Sequence, residues 1–103
     1  MGRKRPERTE RRARERAARD VVRDREKLAE LLPGGAADHP IEVPTAAVIE
    51  GRVRAMPCPQ CAGELDIKDH RSTGPGMRAL DVKCRQCGVP RTLWFRIVVD
   101  EPN

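Results

Sequence analysis

Two cysteine pairs, Cys58-Pro59-Gln60-Cys61 and Cys84-Arg85-Gln86-Cys87, stand 22 residues apart in a chain of 103. They constrain the fold more than any other feature. Two thiolates three positions apart reach a single ion only when the backbone turns tightly between them, and two such pairs at this separation have the spacing of a structural zinc site. Pro59 fixes φ inside the first turn, and Gly63 and Gly88 follow the pairs where a turn needs relaxed φ. Cys58, Cys61, Cys84 and Cys87 are therefore the expected metal ligands, and Zn²⁺ the expected ion.

The intervening segment closes geometrically. After Ala62 and Gly63, arms of equal length from Glu64 to His70 and from Met77 to Lys83 flank a tip from Arg71 to Gly76 rich in turn residues. Equal arms return Cys84 beside Cys61. Leu65 and Ile67 on one arm, with Leu80 and Val82 on the other, give one apolar face. Leu93, Phe95, Ile97 and Val99 alternate to give a third strand with the same kind of face. Ala47 to Met56 also alternates, with Ile49, Val53 and Ala55 opposite Glu50, Arg52 and Arg54, and is expected to be a half-buried strand with a bulge at Gly51. The expected architecture is a small zinc-bound antiparallel β domain of three to four strands over residues 47–103. With one Trp, one Phe and no Tyr it has little bulky core, so it should depend on the ion, which contributes about 10–16 kcal/mol in structural zinc sites. Without metal, residues 58–99 should be disordered.

The two knuckles, the hairpin and the following strand together resemble a zinc ribbon over roughly residues 56–99. The resemblance implies the ligand role of the four cysteines. Transcript-cleavage elongation factors are similar in knuckle layout but carry an acidic pair at the hairpin tip. Here the tip runs from Asp69 through His70, Arg71, Ser72, Thr73 and Gly74 to Gly76 without such a pair. Other ribbons of transcription and translation grip RNA, DNA or protein. The competing readings are weaker: a rubredoxin-like iron site usually has aromatic neighbours, and a thioredoxin-type CxxC needs a βαβ frame that is absent.

Ahead of this domain, Pro6 to Leu32 is compatible throughout with a helix about 40 Å long, begun by Pro6 and ended by Pro33-Gly34-Gly35. Residues 1–32 hold 12 basic and 7 acidic side chains, against 2 and 3 in residues 33–57 and 7 and 6 in residues 58–103. Glu7/Arg11, Glu10/Arg14 and Glu15/Arg19 have the favourable i, i+4 order. Ala13, Ala17, Val21, Leu28, Leu31 and Leu32 form one stripe whose last turns should dock. Residues 33–46, with three Pro and two Gly, are expected to be a tether with a short extended piece at Ile41-Glu42-Val43.

Four thiolates complete a tetrahedron and leave no position for substrate or activated water, and no Ser, His and Asp grouping suggests a nucleophile. His70 and His39 are expected in water. A binding module is the expectation, with nucleic acid or a nucleoprotein complex contacted through Arg8, Arg11, Arg12, Arg16 and Arg19 and through an edge formed by Arg91, Trp94 and Arg96. The alternative is a protein-interaction or assembly adaptor in which Val21, Leu28, Leu31 and Leu32 seat the helix on a partner. No apolar run is long enough to span a membrane, and none follows the basic amino terminus as in a secretory signal. Both observations point to the cytoplasm, with no membrane and no small-molecule substrate.

Overall fold

A computed structural model describes residues 4–99, with side chains from Glu7 onward; the outermost residues of the two terminal segments, 1–3 and 100–103, lie outside it. The elements in chain order are α1 (Lys4–Leu31), β1 (Ile41–Val43), a single 3₁₀ turn (Ala46–Val48), α2 (Ile49–Arg54), β2 (Leu65–Gly74), β3 (Met77–Cys84) and β4 (Pro90–Ile97). The strands form one sheet in the order β1-β4-β3-β2. β2, β3 and β4 are antiparallel as expected, but β1 joins β4 in parallel through Ile41↔Phe95 and Val43↔Ile97. The sheet is therefore mixed.

Two expected features are corrected. Residues 47–56 form a helical turn and α2, not a strand. Ile49 and Val53 are also four residues apart, so one helix face carries both, and both are fully buried. The same period aligns Arg54 with Glu50 at 3.6 Å. Residues 33–46 are built into the body and do not act as a tether. Gly34 takes a positive φ of 86°, its N–H donates to His39 O at 2.8 Å and its carbonyl accepts from Trp94 N at 2.8 Å. Beyond it Ile41 and Val43 enter the core.

Register divides the sheet into two faces. Leu65, Ile67, Leu80, Val82, Leu93, Phe95, Ile41 and Val43 lie on the face packed with Ile49 and Val53 of α2. A bulge between Ile67 and Asp69 turns His70 onto this same face. There its Nδ1–H donates to Glu50 Oε2 at 3.1 Å, so His70 joins β2 to α2 and is not a tip residue in water. His39 is likewise engaged, with Nδ1 on Asp38 at 2.8 Å and Nε2 on the carbonyl of Glu30. On the opposite face Asp81 accepts two bonds from Arg71 at 3.0 Å and one from Thr92 Oγ1 at 2.8 Å, linking three strands.

The first two-thirds of α1 project away from this body. The radius of gyration is 18.9 Å and the longest dimension 80 Å, against a radius of about 13 Å for a compact chain of this size. Among the described residues no helix is long and apolar enough to cross a membrane.

Candidate metal centre

The loop before β2, the last residue of β3 and the loop after it bring the four cysteine sulfurs together, all within 4.8 Å of one another. Cys58 Sγ is 3.7 Å from Cys87 Sγ, and Cys61 Sγ is 3.4 Å from Cys84 Sγ. These separations exceed a disulfide bond, about 2.05 Å, and approach the edge of a thiolate tetrahedron, about 3.8 Å for a metal–sulfur bond of about 2.3 Å. The donor set is sulfur alone, which suits a soft or borderline ion.

The two knuckles share three bonds, and the second adds a fourth, from Cys87 N to Cys84 Sγ at 3.4 Å. Cys58 N donates to Gly63 O at 2.9 Å and Cys84 N to Val89 O at 3.1 Å; Ala62 N donates to Cys58 O at 2.7 Å and Gly88 N to Cys84 O at 3.1 Å. Gln60 N points at Cys58 Sγ at 3.4 Å and Gln86 N at Cys84 Sγ at 3.3 Å. Each pair thus presents a buried first cysteine, stabilised by backbone N–H groups, and a more exposed second one, Cys61 or Cys87. The N–H of Cys87, with that of Gln86, pulls the Cys84 thiol from 9.0 down to about 6. Cys87 goes the other way: the Val89 N–H opposes the shift, but desolvation and its three sulfur neighbours push it up to about 12. A sulfur cluster without a cation resists multiple ionisation, because like charges crowd it.

The residue that takes positive φ in the first knuckle is Ala62 at 63°, matching Gly88 at 77°; it is not Gly63. Gly63 has a different requirement. A Cβ there would meet Gln86 Cβ at 2.9 Å and Cys84 Sγ at 3.1 Å, so its missing side chain lets the two knuckles close on each other.

Gln60 connects this centre to α1. It is 9% exposed, and its Nε2 donates to Val22 O at 2.7 Å and to Glu26 Oε2 at 2.8 Å, while its own carbonyl accepts from Arg25 Nη1 at 2.8 Å. Glu26 also receives Arg91 Nη2 of β4 at 2.7 Å, and the Arg91 side chain is only 8% exposed. Val22, Arg25, Glu26 and the buried Ala29 therefore make the seated face of the helix.

The other candidate residues disperse. Arg91, placed at a phosphate-gripping edge on sequence grounds, is on the core face and occupied by Glu26, because residue 91 shares the inward register of Leu93 and Phe95. Trp94 is half-buried on the opposite face, across from Ala79, and Arg96 is exposed beside Glu42 at 3.8 Å. Arg8, Arg11, Arg12, Arg16 and Arg19 are all exposed on the projecting rod. The apolar stripe expected to dock does not: Leu28 is 63% and Leu31 74% exposed, and Val21 and Leu32 are exposed with them. The helix turns a polar face to the body instead, and no sequence signal paired Gln60 or Arg91 with residues 34 and 65 positions away.

Comparison with protein-family models, curated proteins and solved structures yields no match to this chain. Four cysteines clustered within metal-binding distance on a small β-sheet are compatible with a zinc ribbon.

Proposed function

We propose that the protein is a non-catalytic zinc-binding module of the ribbon type that contacts nucleic acid or a nucleoprotein complex. The observation that carries the metal half is the convergence of four sulfurs, and no other donor among the described residues, from two knuckles with matching backbone bonds. Cys58, Cys61, Cys84 and Cys87 would hold the ion. Zinc there supplies structural cross-linking; with all four tetrahedral positions taken by thiolate it has no place for a reacting water. Zinc is preferred to iron because the chain as a whole is poor in aromatics, with one Trp, one Phe and no Tyr, and a colourless protein that binds one equivalent tests this.

The binding half rests on the exposed arginines of a rod held at its base to the metal knuckle. Its test is fluorescence anisotropy of a labelled oligonucleotide with the metal-loaded chain across a salt series. Phosphate contacts predict affinity that falls steeply with salt. A second reading has its own observation: Val21, Leu28, Leu31 and Leu32 present an uncovered apolar flank that a partner protein could cover. That association would be nearly independent of salt, and cytoplasmic residence fits both readings.

A further inference from the structure

The charges of α1 are segregated around its axis. At about 100° per residue, Arg8, Arg12, Arg16, Arg19 and Arg23 fall within one flank less than a quarter-turn wide, which ends where Glu26 and Glu30 return to the same azimuth. No acidic residue between positions 7 and 25 shares it. The rest of the circumference over the same span carries Arg11, Arg14 and Arg25 against Glu7, Glu10, Glu15, Asp20 and Asp24. The acids that dilute the net charge of this segment therefore leave one side untouched.

Two structural facts keep that flank available. Val22, Arg25 and Ala29 of the seated face lie to one side of it, Glu26 lies at its edge beyond Arg23, and the uncovered apolar residues Val21, Leu28 and Leu32 lie on the other side of the rod. Among the described residues Arg8, Arg12, Arg16 and Arg19 enter no ion pair, and the pairs Arg23 makes, with Asp20 at 3.3 Å and Asp24 at 3.6 Å, leave its side chain 60% exposed. Among the described residues the nominal i, i+4 partners Glu7/Arg11, Glu10/Arg14 and Glu15/Arg19 form no ion pair within 4.0 Å either.

Resting on the nucleic-acid reading above, we infer that this single arginine flank is a docking surface for the phosphate backbone of a double-stranded nucleic acid, engaged without sequence preference. From Arg8 to Arg23 the flank rises about 22 Å. Laid along a duplex axis, that length spans six or seven base pairs at about 3.4 Å each. A straight rod with one cationic side suits the regular, stiff charge array of a duplex. An anionic membrane would require an apolar side next to the cationic one along the same length, and over residues 7–20 the uncharged residues are only Thr9 and alanines.

The test uses the full, metal-loaded chain and labelled 20-base-pair duplexes of two unrelated sequences, with anisotropy measured over a salt series. Two variants remove the same charge from the same part of the helix: Arg12→Ala/Arg16→Ala on the flank and Arg11→Ala/Arg14→Ala off it. Alanine keeps the helix, and circular dichroism verifies it. Five contacts predict a slope of log K against log salt near −4.5, and the flank pair should lower its magnitude by about 1.8 and weaken binding at least tenfold. The off-flank pair should change affinity less than threefold, and the two sequences should bind alike. Equal losses in the two variants overturn the flank while leaving nucleic-acid binding intact. Binding to single strands alone, with none to duplex, overturns the inference in the same way. Absence of binding to any nucleic acid, or binding only to phosphatidylserine vesicles, overturns the underlying reading as well.

Discussion

Replacing Gln60 by alanine should release the helix without unfolding the sheet. The side chain makes two bonds to α1, one to the carbonyl of Val22 and one to the carboxylate of Glu26. A neutral hydrogen bond contributes about 1 kcal/mol net and one to a charged group about 1.5–3, so the seating of the helix should weaken by about 2–4 kcal/mol. The bond from Arg25 to the Gln60 carbonyl and the ion pair of Glu26 with Arg91 survive the substitution. Neither compensates for the bonds lost, and Glu26 loses its second donor. Amide hydrogen exchange reads the effect residue by residue. Amides of residues 25–31 should exchange about 30-fold faster or more, while those of Leu80 and Val82 in the buried middle of β3 keep their protection. Unchanged exchange in the helix would show that Gln60 does not hold it. Equal acceleration in β3 would show that helix and sheet open as one unit, and either result refutes the reasoning.

Four further outcomes follow from the structure of the knuckles. Ala62→Gly should raise the melting temperature of the metal-loaded protein, because a left-handed alanine is strained by about 1–2 kcal/mol and the added chain entropy offsets about half of that; Gly88→Ala should lower it. Gly63→Ala should weaken metal affinity in a chelator competition, since its Cβ would push Gln86 and Cys84 away. The Cys84 thiol sits at about 6 in the fold against 9.0 ordinarily. The stability it contributes is full above pH 9 and lost as pH falls through 6. Protons compete with the metal in the same direction, so a pH series should show metal retained at neutrality and released on acidification. A loss of metal that begins on raising the pH from 6 to 9 would contradict this.

The knuckles were legible because metal ligation fixes residue type and spacing together; the hairpin between them was legible too, but not its turn, since β2 runs through the expected tip to Gly74 and pairs with Met77 around Pro75-Gly76, two bulges absorbing the difference in length. β2, β3 and β4 were legible because each alternates over a length that only a strand accommodates. The segment 47–56 was not: Ile49 and Val53 satisfy both a two-residue and a 3.6-residue period, and the choice was made by the sheet face that α2 covers. β1 was readable as extended but not as parallel to β4, since three residues carry no register of their own. The seated face of α1 was missed for a physical reason. Apolar periodicity marks burial driven by hydrophobic area, whereas this helix is held through Gln60, Arg25, Glu26 and Arg91, polar residues whose pairing exists only after the chain has folded. The role of Ala62 was hidden because an alanine does not announce a positive φ.

The fold is held, on this reading, by one ion that joins four thiolates. Native mass spectrometry of the purified chain, paired with thiol labelling before and after chelation, tests it most directly. The expected result is one zinc per chain, four cysteines protected from alkylation until the metal is removed, and loss of the ion in Cys84→Ser. A chain that carries no metal and alkylates at all four cysteines while its sheet stays folded would contradict it.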